Sequence, residues 1–433
     1  MTKLQSNDQI IPEKSELKIG FIPLTDCCVL AVAKEMGFFE KHGLSVSLSK
    51  EASWANIRDK VSVGALDAAQ MLAGMPIVRT LGLSFTGKPM LTAFSMDLNG
   101  NAITVSNELY ERLYEIDKSI TSNPENTAKA LKQLIELDKL AGKPMLTFAT
   151  VYPFSNHNYE LRYWMASAGI DPEQDVRLMV IPPQYMVSNL EEGRIDGFCV
   201  GEPWNSNAVY KEVGKILITG YEVWNNSPEK VLGVMLEWAE RYPNTHLCLL
   251  MALMESAIWI DNINNRKKVV EILANEKYIG ISEEIIRKSI DGTFEYRLNG
   301  DAVAIPDFNV FHRYQANFPW RSHAIWIISQ MYRWGQLKVA IDIKKTVESI
   351  YRPDIYRQAA RQLNILCPTI DYKTEGEHEA AWFISDDEQE IELGADKFID
   401  GKVFDPNKLV EYTFSFDVNH IPIEVEQLNK TNQ

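Results

Sequence analysis

At 433 residues the chain is long enough for two or three folding units, well above the size at which disulfides or metals must hold a fold together. Its 45% hydrophobic, 10% aromatic and 24% charged content excludes disorder as the dominant state. With 44 basic against 59 acidic side chains, the net charge of −15 repels phosphate backbones and anionic membrane surfaces and argues against direct nucleic-acid binding.

Residues 1–16 form a polar leader that mixes charge with Asn, Gln and Pro. It lacks the apolar core of about 7–15 residues that a secretory signal needs, so a cytoplasmic location is expected, or a periplasmic one if the start is mis-called. Residues 17–25 (LKIGFIPLT) read as a buried strand, and 27–43 (CCVLAVAKEMGFFEKHG) as a helix ending at Gly43. A period-two strand (LSVSLSKE), a short helix from Trp54 to Val63 and a return to the sheet at Leu66 to Gln70 follow. Strands alternating with helices predict a doubly wound α/β unit.

The alternation recurs farther on. Residues 143–150 are a strand, 155–170 a helix, 176–183 a strand, 184–193 a helix and 194–201 a strand. Gly64-Ala65-Leu66-Asp67-Ala68 and Gly193-Arg194-Ile195-Asp196-Gly197 share one form, a helix-ending Gly, then an aliphatic and an Asp before a buried strand. Two related lobes are implied, lobe I over 17–110 and 220–350 and lobe II over 111–219. Leu109 to Leu140 is read as a helical connection, and the composition turns helical from Pro228. His246 to Ile260 carries Glu255 and is shorter than the roughly 20 residues of a membrane span, so no transmembrane segment is expected. From Tyr351 the chain shows little periodicity, and residues 351–433 are expected to wrap the body as a tail.

Catalytic signatures are missing: there is no Walker loop, no GxGxxG after a strand, no GxSxG, no CxxC and no HExxH. Five cysteines, an odd number, include the adjacent Cys27 and Cys28, and do not form a disulfide framework. Seven scattered histidines offer no metal-ligand pair on one helix. No cofactor and no metal is expected. A small anion stays admissible, because a few donors in a cleft outweigh a screened surface charge.

Several strings, in one order from about residue 16 to 420, carry a family resemblance: KIGFIPLTDCCVLAVAKEMGFFEKHGL, KEASWANIRDKVSVGALDAAQML, LNGNAITVSN, SNHNYELRYWMASAGIDPEQDV, VIPPQYMV, EEGRIDGFCVGEPWN, SPEKVLG and DGKVFDP. Together they resemble the nitrate-binding and bicarbonate-binding subunits of ABC importers and the signal-less cytoplasmic nitrate/nitrite sensors of like fold. The resemblance implies a two-lobe periplasmic-binding-protein fold of the second type, each lobe a doubly wound sheet, closing on a planar anion, with a C-terminal helical and irregular extension.

It also implies site residues. Lys230 in SPEK would supply the cation, and His157 would lie where a strand gives way to a helix, the usual ligand edge of an open α/β sheet. Trp54 would donate its indole N–H, Asn101 its amide, and Gly100 would permit close backbone approach. Gly201 would add a backbone N–H and Gln184 a further amide. Glu202 would repel an anion, so it is expected to fix Lys230 or His157, with a calcium-ligand role in bicarbonate binding as the alternative. The function implied is non-enzymatic binding of nitrate or nitrite between the lobes, with closure sensed by a partner. The expectation is a cytoplasmic nitrate/nitrite sensor that regulates nitrate assimilation through an RNA-binding antiterminator protein. The alternative is the solute-binding component of a nitrate ABC importer docking on its permease, or calcium-assisted bicarbonate binding, and a thiamin-pyrimidine-synthesis-like enzyme is the remote alternative.

Overall fold

The computed structural model describes residues 10–83, 88–386 and 389–431. Most of the polar leader, residues 1–9, lies outside the described residues, as do 387, 388, 432 and 433 of the tail. Two five-stranded sheets organise the chain. In the first, the strands lie in the order Ser45–Lys50, Glu16–Phe21, Ala68–Leu72, Lys230–Met235 and Met90–Ser95. In the second, the order is Gly214–Thr219, Asn101–Ser106, Gly197–Gly201, Thr147–Thr150 and Arg177–Val180.

Each sheet contains one strand that runs against its neighbours on both sides and arrives from the other sheet. Lys230–Met235 is antiparallel to both of its partners in the first sheet, and Asn101–Ser106 to both of its partners in the second. The remaining pairings are parallel, with helices as crossovers. Where the two crossing segments pass, they bond to each other: Leu98 bridges Pro228, and the Asn99 N–H donates to Ser227 O at 2.9 Å.

The repeated Gly-to-Asp turn does the same work in both sheets. Gly64 and Gly193 end their helices at φ of 74° and 65°, a conformation that suits glycine. Asp67 then exchanges two hydrogen bonds with Lys18, donating its N–H at 2.8 Å and accepting at Oδ2 at 3.0 Å. Asp196 makes the matching pair with Thr147, at 2.8 and 2.7 Å. Each aspartate thus pins the start of a neighbouring parallel strand.

Three sequence expectations are corrected. The strand Asn101–Ser106 belongs to the second sheet, so the crossing falls near Gly100 rather than at residue 110. The segment from Pro228, read as helical, begins with the strand Lys230–Met235; its run of Val, Leu, Gly, Val and Met is buried throughout and so lacks the alternation that would mark a strand. The helix read over 27–43 breaks at Gly37, whose φ of 77° separates Cys28–Glu35 from Phe38–Lys41. In the tail, the helix Pro353–Gln362 buries Tyr356, Ala359 and Ala360 in the core, and Leu393, Phe404 and Leu428 are buried as well. No single described helix is long and apolar enough to cross a membrane, and Pro243–Asp261 is mostly buried in the protein.

Candidate functional site

Lys230 and Asn101 are the first residues of the two crossing strands, so the topology itself brings them together. Two helix N-termini join them. Ser53 caps the helix Trp54–Ser62 by accepting from the Asn56 N–H, and Ser155 caps Asn156–Ser167 by accepting from the Asn158 N–H. Trp54 and His157 therefore lie in the first turns of helices from opposite sheets, at their electropositive ends.

Lys230 is fully buried, not the exposed lysine that composition alone would favour. Its Nζ lies 2.8 Å from Asp26 Oδ2, 2.5 Å from Glu229 Oε1 and 5.7 Å from the centre of the Trp54 ring. Burial disfavours its charge, but Asp26, Glu229 and Asp97 outweigh that and hold the ammonium protonated above its ordinary range. Gln70 steadies Asp26 with its amide and accepts the Ile22 N–H at 2.9 Å.

His157 Nδ1 lies 3.3 Å from Glu229 Oε1, yet neither ring nitrogen makes a hydrogen bond. Burial, followed by the Lys230 charge, pushes its basicity well down, so the imidazole is neutral and offers one N–H. Asn101 Nδ2 donates to Glu229 Oε2 at 2.8 Å and to Glu160 Oε2 at 3.0 Å, while its Oδ1 has no partner. The indole N–H of Trp54 is likewise buried and unpartnered. A protein-only site that leaves these groups unsatisfied is suited to a small polar ligand.

Gly201 belongs with them: a Cβ there would stand 3.4 Å from Asn101 Oδ1 and 3.6 Å from His157 Nε2. Gly100, at φ of 95°, turns the chain into Asn101 and accepts the Glu202 N–H at 2.9 Å. Gln184 stands apart at the rim, where its Nε2 donates to Ala52 O at 2.9 Å and joins the two sides of the cleft.

Glu202 does not fix Lys230 or His157. Its carboxyl accepts from the Ser206 N–H at 3.2 and 3.3 Å, capping the start of the next helix, and burial pushes it up to about 8. Glu229, the neighbour of Lys230, occupies the position expected of Glu202. A neutral carboxyl is a poor calcium ligand, and among the described residues no group of three or more His, Cys, Asp or Glu is placed to hold a metal. Cys27 and Cys28 are buried, with burial raising both thiols, so neither provides the reactive thiolate of an enzyme. Sequence reasoning missed Asp26, Gln70, Asp97, Glu160 and Glu229; the adjacency of Glu229 to Lys230 in SPEK was the one local signal.

The model of the NMT1-like family matches residues 11–274. The nitrate import ATP-binding protein NrtC of Synechocystis sp. is 41% identical over 97% of this chain, but the match spans 58% of NrtC, and against the bicarbonate transport ATP-binding protein CmpC of Synechococcus elongatus it spans 50%. The chain therefore covers about half the length of these curated relatives. The nitrate/nitrite binding protein NrtA of Nostoc sp. is 32% identical over 94% of this chain and 87% of that protein. The crystal structure of the periplasmic nitrate-binding protein NrtA from Synechocystis PCC 6803 superposes with a TM-score of 0.82 and 28% identity, covering 94% of this chain and all of that one. The fold is that of the periplasmic binding proteins.

Proposed function

From its membership of the NMT1-like family, we propose that this chain is a non-enzymatic binding component of an ABC importer that closes on nitrate or nitrite. The observation that carries this reading is the fully buried Lys230, facing the unpartnered nitrogens of Trp54 and His157 where the two crossing strands meet. A planar anion in a closed cleft needs a cation and directed N–H donors, and this cluster supplies both. The resemblance to NrtA favours the importer over the sensor expected from the polar leader and the odd cysteine count. Titration calorimetry with nitrate, nitrite and bicarbonate, each with chelator and with calcium, tests it. Heat from nitrate in chelator supports the reading; bicarbonate binding that needs calcium, with none for nitrate, overturns it.

A second reading is favoured by the 41% identity to an ATP-binding import protein. In it, the same anion-closed fold works beside the ATPase, on the side of the membrane that holds ATP, and reports anion level to the transport cycle. Fractionation of cells, followed by pull-down with and without nitrate, separates the two: recovery with the permease outside the cytoplasm supports the first, and recovery with the ATP-binding subunit supports the second. Capture of an RNA-binding antiterminator would restore the sensor.

A further inference from the structure

Lys230 already has anions of its own. Besides Asp26 and Glu229 at its Nζ, its backbone N–H donates to Asp97 Oδ1 at 3.0 Å, and Glu160 is tied to Glu229 through the two-pronged amide of Asn101. Asp26, Asp97, Glu160 and Glu229 are each 4% exposed or less, so four carboxyls share one buried ammonium. The other titratable groups facing the Glu229 and Glu160 pair are His157, 3.3 Å from Glu229 Oε1, and Cys199, whose Sγ lies 4.0 Å from Glu160 Oε2. The Ser227 hydroxyl, 3.2 Å from Glu160 Oε1, is a neutral donor. Adding an external anion to this set with every carboxyl ionised would leave a dry site strongly negative, which burial does not tolerate.

We propose that a hydrogen-free anion enters this site together with one proton, which the Glu229 and Glu160 pair takes up. Glu229 is the built-in occupant of Lys230, and the incoming anion takes its place beside Nζ. The proton comes from the surrounding buffer, and no bond other than an O–H forms. Once protonated, Glu229 is a donor toward the anion instead of a competitor for the ammonium. Burial, followed by the neighbouring Glu229 charge, pushes Glu160 up to about 8, and burial raises Glu229 against the pull of Lys230, so both carboxyls lean toward the protonated form. Ligand choice follows from the same chemistry. Nitrate and nitrite ions carry no hydrogen and need the protein's proton, whereas hydrogencarbonate can donate its own hydroxyl to an ionised Glu229.

This inference rests on the anion-binding reading, and the experiment separates their failures. Nitrate is titrated calorimetrically into the full chain from pH 6 to 9, in buffers of different ionisation enthalpy. About one proton should be taken up per nitrate above pH 8, with Kd weakening about tenfold per pH unit there. In Glu229→Gln the uptake should vanish and Kd should lose its pH dependence; if that variant does not fold, the wild-type buffer dependence decides alone. Heat that is independent of buffer, with Kd constant from pH 6 to 9, overturns the proton coupling and leaves the anion reading standing. No nitrate binding at any pH overturns both.

Discussion

At Lys230 the proposed anion binding and the stability of the fold depend on the same atom. Removing its ammonium in Lys230→Ala should weaken nitrate binding by about 2–5 kcal/mol, the range for losing one member of a buried charge pair. It also strands Asp26 and Glu229, both buried, so folding should lose about 3–5 kcal/mol near pH 8. The loss should shrink toward pH 5, where the stranded carboxyls take protons; urea melts at both pH values measure it. Glu202 offers a cleaner titration. Burial pushes it up to about 8, well above the ordinary glutamate value of about 4.3. A group raised in the folded state gives its stability in full below the unfolded value and loses it as pH rises toward the folded one. Relative to Glu202→Gln, the wild type should therefore lose about 1.4 kcal/mol per pH unit between about pH 4.5 and 8 and level off above. Parallel stability curves for the two proteins would show that Glu202 is ionised in its pocket.

At the scale of elements, the crossing strands decide what reaches the site. Gly100 has φ of 95°, and a Cβ there would stand 2.7 Å from Asn309 Oδ1. Gly100→Ala should cost about 1–3 kcal/mol of stability and weaken nitrate binding, because the displaced backbone carries Asn101. Gly64→Ala is the control: its φ is 74° with open space around it, so it should lose about 1–2 kcal/mol with binding unchanged. The same strands mark where the sequence was legible. Parallel strands bounded by Gly and Asp could be read because the turn itself is written in five consecutive residues, although Asp67 and Asp196 then bond to strands 49 residues earlier. The crossing strands could not, since, buried over nearly their whole length, they carry no alternation, and their partners are about ninety or more residues away in sequence. The site divides the same way. Lys230, His157, Trp54 and Asn101 were reachable through the family strings, whereas Asp26, Asp97 and Glu160 lie on separate segments and each reads locally as an ordinary surface acid. Only the fold brings them to one ammonium.

At the scale of the whole molecule, the two lobes are not free to unfold apart. One continuous apolar cluster holds Trp54 and Met71 from the first sheet's lobe, Phe148 and Phe198 from the second's, and Trp326, Tyr412 and Phe416 from the C-terminal half. The C-terminal extension adds polar ties to the second lobe: Tyr163 donates its hydroxyl to Asp400 at 2.9 Å, and His420 Nε2 lies 2.9 Å from Asp171 Oδ1. Toward the first lobe, Leu393 joins its core, the Arg352 N–H donates to Thr92 O at 2.9 Å, and the Tyr351 hydroxyl donates to Ala73 O at 2.9 Å. At the crossing, Phe398 stacks on Trp224 with ring centres 4.7 Å apart. Because the proposed anion site lies between lobes joined in this way, a ligand bound there should stabilise both. Nitrate at a hundred times its Kd should raise the free energy of unfolding by about 2.7 kcal/mol, in a single transition followed alike by tryptophan fluorescence and far-UV circular dichroism. Hydrogen exchange should slow together at the first-sheet strand Ala68–Leu72 and the second-sheet strand Gly197–Gly201, since both open only in that shared transition. Protection confined to one of these strands, or two resolved transitions of which nitrate moves one, would mean that the C-terminal extension does not couple the lobes.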